Sequence, residues 1–269
     1  MLPITILILV SFILSKIGFK LIPPLLVEAE SVAPNFKGDK IPVGYGIIFS
    51  LNLIVILILG TLFGYYSLQQ SIPLITLILA MAFVGLLDDA FGNKDSQGFS
   101  GHFKSLLFER RLTTGAIKAI FSLVIVFFIN FYWNKSYFDL FINTLLILLM
   151  SNFINLLDLR PGRALKVTLF LLLATLGLGL RNYLLIIPIV IMVLLALKFD
   201  LQAKGMMGDI GSNVLGVTLG GILAINYGIY IRASITFLLF SIHLYSEFHS
   251  LSELIKSNKI LLYLDKLGR

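Results

Sequence analysis

Asp88 and Asp89 stand side by side at the end of an apolar run, Val84-Gly85-Leu86-Leu87-Asp88-Asp89. Adjacent carboxylates repel each other, and a hard cation such as Mg²⁺, which takes oxygen ligands and keeps several waters, relieves that repulsion. A solvated helix end accommodates the same pair, so the pair alone leaves both readings open. A second segment, Lys204-Gly205-Met206-Met207-Gly208-Asp209-Ile210-Gly211-Ser212-Asn213, leads into another apolar run. Its glycines let the backbone approach a ligand closely. The helix beyond them offers free N–H groups and a positive dipole end, which together seat a phosphate. Asp209 stands where it could hold a metal against that phosphate. The stretch also reads as a glycine turn with Ser212 as helix N-cap, and the two readings are compatible. In a third segment, Ser151-Asn152-Phe153-Ile154-Asn155-Leu156-Leu157-Asp158, Asn152, Asn155 and Asp158 recur at intervals of three. That spacing puts all three on one helical face. Polar side chains inside an apolar span are costly and turn to the protein interior. A hydrogen bond between helices is the plainer use of either asparagine.

Cations surround these segments. The stretch from 88 to 111 is the longest connection, with Gly98-Phe99-Ser100-Gly101-His102-Phe103-Lys104 at its centre and Lys94, Arg110 and Arg111 around it. Near a membrane each basic residue adds about 1 kcal/mol of attraction to anionic head groups. Lys37 and Lys40, in a Pro/Gly-rich connection, could meet a lipid phosphate or lie solvated in a loop. Arg160 and Arg163 follow Asp158 directly. The histidines at 102, 243 and 249 form no metal-binding spacing. His249, at the end of the last span, is either structural or within reach of a substrate phosphate.

The elements that must position these groups are membrane helices. The chain has 269 residues, of which 58% are apolar and only 13% charged, with a mean hydropathy of +0.98. Soluble domains carry about 25% charged residues, so a soluble enzyme or a nucleic-acid-binding module is excluded despite a net charge of +7. There is no cysteine, hence no disulfide and no thiolate metal site. A crossing needs roughly 20 apolar residues. The apolar runs predict an all-α polytopic bundle of nine spans, at 2–22, 44–66, 72–87, 112–132, 138–156, 165–180, 183–198, 213–230 and 232–248. The first has no basic n-region and reads as a retained helix rather than a secretory signal. One catalytic membrane domain is expected over 1–249. A tail over 250–269 reads as a short amphipathic helix on the membrane, with Leu254, Ile255, Ile260, Leu261 and Leu264 against Lys256, Lys259 and Lys266.

Charge placement orients this map. The connections on one side hold only Lys135, Arg181 and Arg232 among 21 basic residues, and only Asp139 among 14 acidic ones. The Lys/Arg-rich side is expected to be cytoplasmic, with the amino terminus outside and the carboxyl terminus inside. Tyr65, Tyr66, Tyr132, Trp133, Tyr137, Tyr183, Tyr227 and Tyr230 gather near the outer turns, as an interfacial aromatic belt does. The positive-inside rule concerns Lys and Arg and gives acids no preference. Their concentration on one side, several beside apolar spans, points to a working cytoplasmic surface.

Taken together, an Asp-Asp ending span three, an Asn-x-x-Asn-x-x-Asp ending span five and a Met-Gly-Asp-x-Gly-Ser opening span eight resemble the polyprenyl-phosphate N-acetylhexosamine-1-phosphate transferases. Relatives in that superfamily include phospho-N-acetylmuramoyl-pentapeptide transferase and the enzymes that start teichoic-acid and O-antigen synthesis. Gly98-Phe99-Ser100 with Lys104 looks like the family's loop after the Asp pair, and the resemblance is best over 35–215. It implies a bacterial plasma-membrane enzyme with a Mg²⁺-dependent cytoplasmic cleft. Such an enzyme moves a sugar 1-phosphate from a UDP-amino sugar to undecaprenyl phosphate and releases UMP, starting synthesis of a cell-envelope polymer. By position, Asp88 and Asp89 would engage the lipid phosphate, Asp88 as candidate base and also at the metal. Asp209 would ligate Mg²⁺, while Asn155 and Asp158 would orient the metal and the sugar nucleotide. Asn152, Lys37, Lys104, Arg160, Arg163 and His249 complete the candidate substrate contacts.

The chain departs from the family pattern in one segment. Where the family continues Asp-Gly-x-Asp-Gly-x-Ala, this chain reads Asp158-Leu159-Arg160-Pro161-Gly162-Arg163-Ala164. Pro161 replaces the second Asp and two arginines arrive, which points to a different donor. The triple-histidine motif of the pentapeptide transferase is absent, so a polymer-initiating relative fits better. A homodimer is compatible with such a chain. Two other classes stay open: a homologue that binds without transferring, and a secondary transporter, whose polar residues would sit near mid-membrane.

Overall fold

The computed structural model describes residues 2–92, 114–133, 136–179 and 185–268. Lys94, His102, Lys104, Arg110 and Arg111, with the rest of the Gly98 to Lys104 motif, lie outside the described residues, as do Lys135, Arg181 and Tyr183. Apolar runs without water must satisfy their backbone internally, and helices do so within one segment. Among the described residues, nine long helices overlap the expected runs: α1 (Leu2–Glu28), α2 (Ile47–Leu62), α3 (Leu68–Phe91), α4 (Thr114–Trp133), α5 (Tyr137–Leu157), α6 (Arg163–Gly177), α7 (Ile186–Leu201), α8 (Gly208–Asn226) and α9 (Ile229–Phe248). Among the described residues, six helices (α1, α3, α4, α5, α8 and α9) are long and apolar enough to cross a membrane. At 15 to 16 residues, α2, α6 and α7 are shorter. Phe128 and Phe131 on α4 and Phe237 and Phe240 on α9 are exposed, an exterior suited to lipid rather than water.

Helix ends differ from the expected spans: α1 runs six residues further, to Glu28, and α2 is shorter at both ends. α3 continues through Asp88 and Asp89 to Phe91, so both carboxylates belong to its last turn. α8 starts at Gly208, five residues before the expected span. Ser212 is therefore not the N-cap: it lies inside the helix, its hydroxyl directed at the carbonyls of Gly208 and Asp209 at 3.3 Å each. Arg232, expected in a turn, is buried inside α9, where its guanidinium donates to Asp139 and Asn143 of α5. The tail forms two short helices, α10 (Leu251–Ser257) and α11 (Lys259–Lys266), rather than one. Asn258 ends the first and caps the second, its side-chain oxygen accepting from Ile260 N and Leu261 N.

α8 is the axis of the bundle and packs against α2, α3, α5 and α6. Its unbroken buried stretch from Ile210 to Leu223 includes Gly211, Gly216, Gly220 and Gly221. These small residues let neighbouring backbones close in, as in membrane helix packing generally. A Cβ at Gly216 would overlap the Cα of Ser151 on α5, and one at Gly85 of α3 would overlap Ile210. Outside this core, α1 packs on α2 and α7, α4 on α3 and α5, and α9 on α5. Between α1 and α2 a two-stranded hairpin, β1 (Val32–Pro34) with β2 (Lys40–Pro42), pairs antiparallel with Ala33 opposite Ile41. Its end is tied to the entrance of α8, because Gly44 N donates to Met206 O at 3.0 Å.

Candidate functional site

The carboxyl ends of α3 and α5 meet the amino ends of α4 and α8 at one end of the bundle. Asp89 reaches across to the start of α8, where Oδ1 accepts from Asp209 N at 2.8 Å and Oδ2 from Ile210 N at 3.1 Å. These are N–H groups with no partner in their own helix, at its positive end. The expected phosphate seat at this helix start is thus taken up by a carboxylate of the same chain. Gly208, at φ +74°, gives Asp89 room, since a Cβ there would lie 3.0 Å or less from its carboxylate oxygens.

Asp209, held in the first turn of α8, faces three helices. Its Oδ2 accepts from Asn155 Nδ2 of α5 at 3.2 Å and from Lys118 Nζ of α4. Lys118 also donates to Asp88 Oδ2 at 3.3 Å, so one ammonium bridges carboxylates from α3 and α8. Asp158, which ends α5, is partly buried with Asp200, Asp209 and Asp89 as electrostatic neighbours. Burial first, and then those three carboxylates, hold its carboxyl well above the usual range. The result is an acidic cup in which, among the described residues, Lys118 supplies balancing charge.

Of the expected residues, this cup brings together Asp88, Asp89, Asn155, Asp158 and Asp209. Asn152 is exposed one turn deeper in α5 and lies outside the set bonded to Asp209. Lys37 sits exposed at the hairpin tip, its ammonium 5.5 Å from the Phe36 ring centre. His249 ends α9, stacked on Tyr245 with ring centres 4.7 Å apart. Arg160 is exposed just beyond Asp158, whereas Arg163 is buried and bonded to Asp265 of the tail.

Lys118 and Asp200 are not among the expected site residues, although each carries a signal in the sequence. Lys118 is the one charged residue between 114 and 133, and a lone charge in an apolar helix asks for a partner. Asp200, buried at the end of α7, accepts from Tyr45 Oη at 2.9 Å and from Gly162 N. It pins the segment that carries Pro161. Arg163 N donates to Arg160 O at 3.1 Å, and Gly162 has φ 75° and ψ −9°. Pro at the second position and a left-handed Gly at the third make a type II turn. Pro161 therefore builds a fixed corner between α5 and α6. Gly162→Ala is expected to destabilise the protein by about 1–2 kcal/mol from the left-handed backbone alone. The new methyl would also lie 2.5 Å from Leu201 Cδ2, so a lowered thermal midpoint is the measurement that checks it.

The oxygen-rich groups of the cup suit a hard cation. Among the described residues no three Asp, Glu or His side chains converge as a ready-made metal cage. Mg²⁺ does not require one, since it usually takes one or two protein carboxylates and fills its shell with water and substrate phosphate. Asp88 and Asp209, already drawn to a common positive charge at Lys118, fit that requirement. Compared with protein-family models and with curated proteins, the chain shows no match to either.

Proposed function

We infer that the chain is a Mg²⁺-dependent sugar-1-phosphate transferase. It would act between a UDP-amino sugar and undecaprenyl phosphate, release UMP and start a cell-envelope glycopolymer. All nine long helices would cross a bacterial plasma membrane, with the amino terminus outside and the acidic cup at the cytoplasmic face. The single observation that carries this reading is that Asp88 and Asp209 share Lys118 while Asn155 bonds Asp209, all at one end of the bundle. A transporter would instead place its polar residues near mid-membrane.

In the reaction, an oxygen of the lipid phosphate attacks the sugar-bearing phosphorus of the donor. The new P–O bond makes a lipid diphosphate sugar, and the bond to UMP breaks with its electrons on the departing phosphate. Transfers of this kind need little covalent help; positioning and charge neutralisation supply nearly all the acceleration. Asp88 would receive any proton left on the lipid phosphate. Lys118 would neutralise charge on the phosphates, and Asn155 and Asp158 would orient the donor. Asp209 and Asp88 would hold Mg²⁺, which supplies Lewis-acid neutralisation of phosphate oxygens when bound.

The test is UMP release by purified, folded protein with undecaprenyl phosphate, Mg²⁺ and a panel of UDP-amino sugars. Lipid-dependent release with one donor is expected and identifies the sugar. No release with any donor would overturn the transferase reading in favour of a homologue that binds without transferring.

A further inference from the structure

Arg163 has the residue type of a phosphate-binding cation, yet its guanidinium is committed elsewhere. Nε donates to Asp265 Oδ1 at 2.7 Å and Nη2 to Asp265 Oδ2 at 3.1 Å, a bidentate pair across 102 residues of sequence. Nη1 donates to Ser252 Oγ at 2.9 Å, so both short tail helices are engaged. Arg163 is only 5% exposed and the Asp265 side chain only 9%. One turn further along α6, Lys166 Nζ donates to the carbonyls of Leu264 and Asp265 at 2.7 Å each and of Leu267 at 3.2 Å. Those carbonyls form the negative end of α11, where a lysine is well placed.

The anchored segment is the corner beside the acidic cup. Asp158 precedes the type II turn by two residues, and Asp158 N donates to Asn155 O at 3.0 Å. The turn is pinned from within by Asp200, which accepts from Gly162 N and is itself held by Tyr45. From outside it is pinned by Asp265 and Ser252 through Arg163. Leu201 lies under both parts, against the positions a Cβ would take on Gly162 and on Gly268 of the tail.

A buried bidentate pair is costly to desolvate and adds little net stability against apolar alternatives. What it supplies is geometry, because the planar fork admits few relative placements. We propose that the carboxyl-terminal tail is a positioning element for the acidic cup: Asp265, acting through Arg163, holds the 160–163 turn and thereby fixes Asp158. Arg163 and Asp265 are positioning residues here, neither touching substrate. The functional half of this inference rests on the transferase reading; the structural half does not.

The experiment uses full-length protein in lipid nanodiscs, comparing wild type with Asp265→Ala and Asp265→Glu. Amide hydrogen exchange over 155–166 is measured alongside UMP release. In Asp265→Ala, exchange in that segment is expected to rise by about tenfold while α8 stays protected. The kcat for UMP release is expected to fall by about tenfold with KM little changed, as for a misplaced group that acts in the transition state. Asp265→Glu keeps the carboxylate and is expected to restore most of both. Unchanged exchange in Asp265→Ala overturns the clamp. Faster exchange with undiminished UMP release overturns the positioning role. Absence of release from wild type counts against the transferase reading, and the exchange measurement then still decides whether the tail holds the turn.

Discussion

Asp209→Asn is expected to lower Mg²⁺-dependent UMP release by about 10³-fold while the protein folds normally. The substitution keeps the size of the side chain and removes one charge. It also leaves the start of α8 intact, because Asp209 meets Asp89 through its backbone N–H at 2.8 Å and not through its carboxylate. What it removes is the oxygen on which Lys118 and Asn155 converge. Among the described residues, Asp88 is then the carboxylate left paired with Lys118, and the cup has lost a charge that would hold a divalent cation. Binding gives a second readout, independent of turnover. A site filled at about 100 times its Kd stabilises the folded state by about 2.7 kcal/mol. Added Mg²⁺ is therefore expected to raise the thermal midpoint of wild type and leave that of Asp209→Asn unmoved. Normal turnover in the variant would remove Asp209 from the metal site.

How far the cup could be read from sequence depends on how local its causes are. The helix runs were legible because a backbone shielded from water has one local solution, and α5 at Tyr137–Leu157 lies within one residue of its expected span at each end. At Asp88 and Asp89 in α3 and at Gly208 in α8, boundaries failed because polar residues broke the apolar signal but not the hydrogen bonding. Asn155 and Asp158 were legible from their spacing of three. Asn152 shares that spacing, but only the last turn of α5 reaches the cup. The pairing of Arg163 with Asp265 was not legible, because its partner lies 102 residues away and no periodicity reports a tertiary ion pair. The tail's amphipathic pattern announced a surface helix and was silent about the aspartate within it. Lys118 carried its signal in its isolation, although the partners it would choose depended on how α3 and α8 pack.

That packing makes Gly216 the position where one substitution should do the most structural damage. Gly216→Leu is expected to cost about 3 kcal/mol or more, at or beyond the upper end of ordinary overpacking. A Cβ there would overlap the Cα of Ser151 and lie 2.8 Å from Met150 O and 2.9 Å from Ser151 N. Those neighbours are backbone, so no rotamer change can make room. The same stripe of α5 carries Ile147, whose Cα would lie 2.8 Å from a Cβ on Gly220, and then Asn155, which donates to Asp209. Residues 147, 151 and 155 follow each other at intervals of four and so lie on one face. Prising α5 from α8 at its middle must therefore also draw Asn155 away from Asp209, so stability and the acidic cup fail together. Gly177→Ala is the control, because its Cβ would meet nothing within 4 Å and alanine is favoured over glycine in a helix by about 0.5–1 kcal/mol. The measurement is the thermal midpoint of each variant in the same nanodiscs. A midpoint for Gly216→Leu equal to that of Gly177→Ala would mean that α5 and α8 do not meet at this glycine.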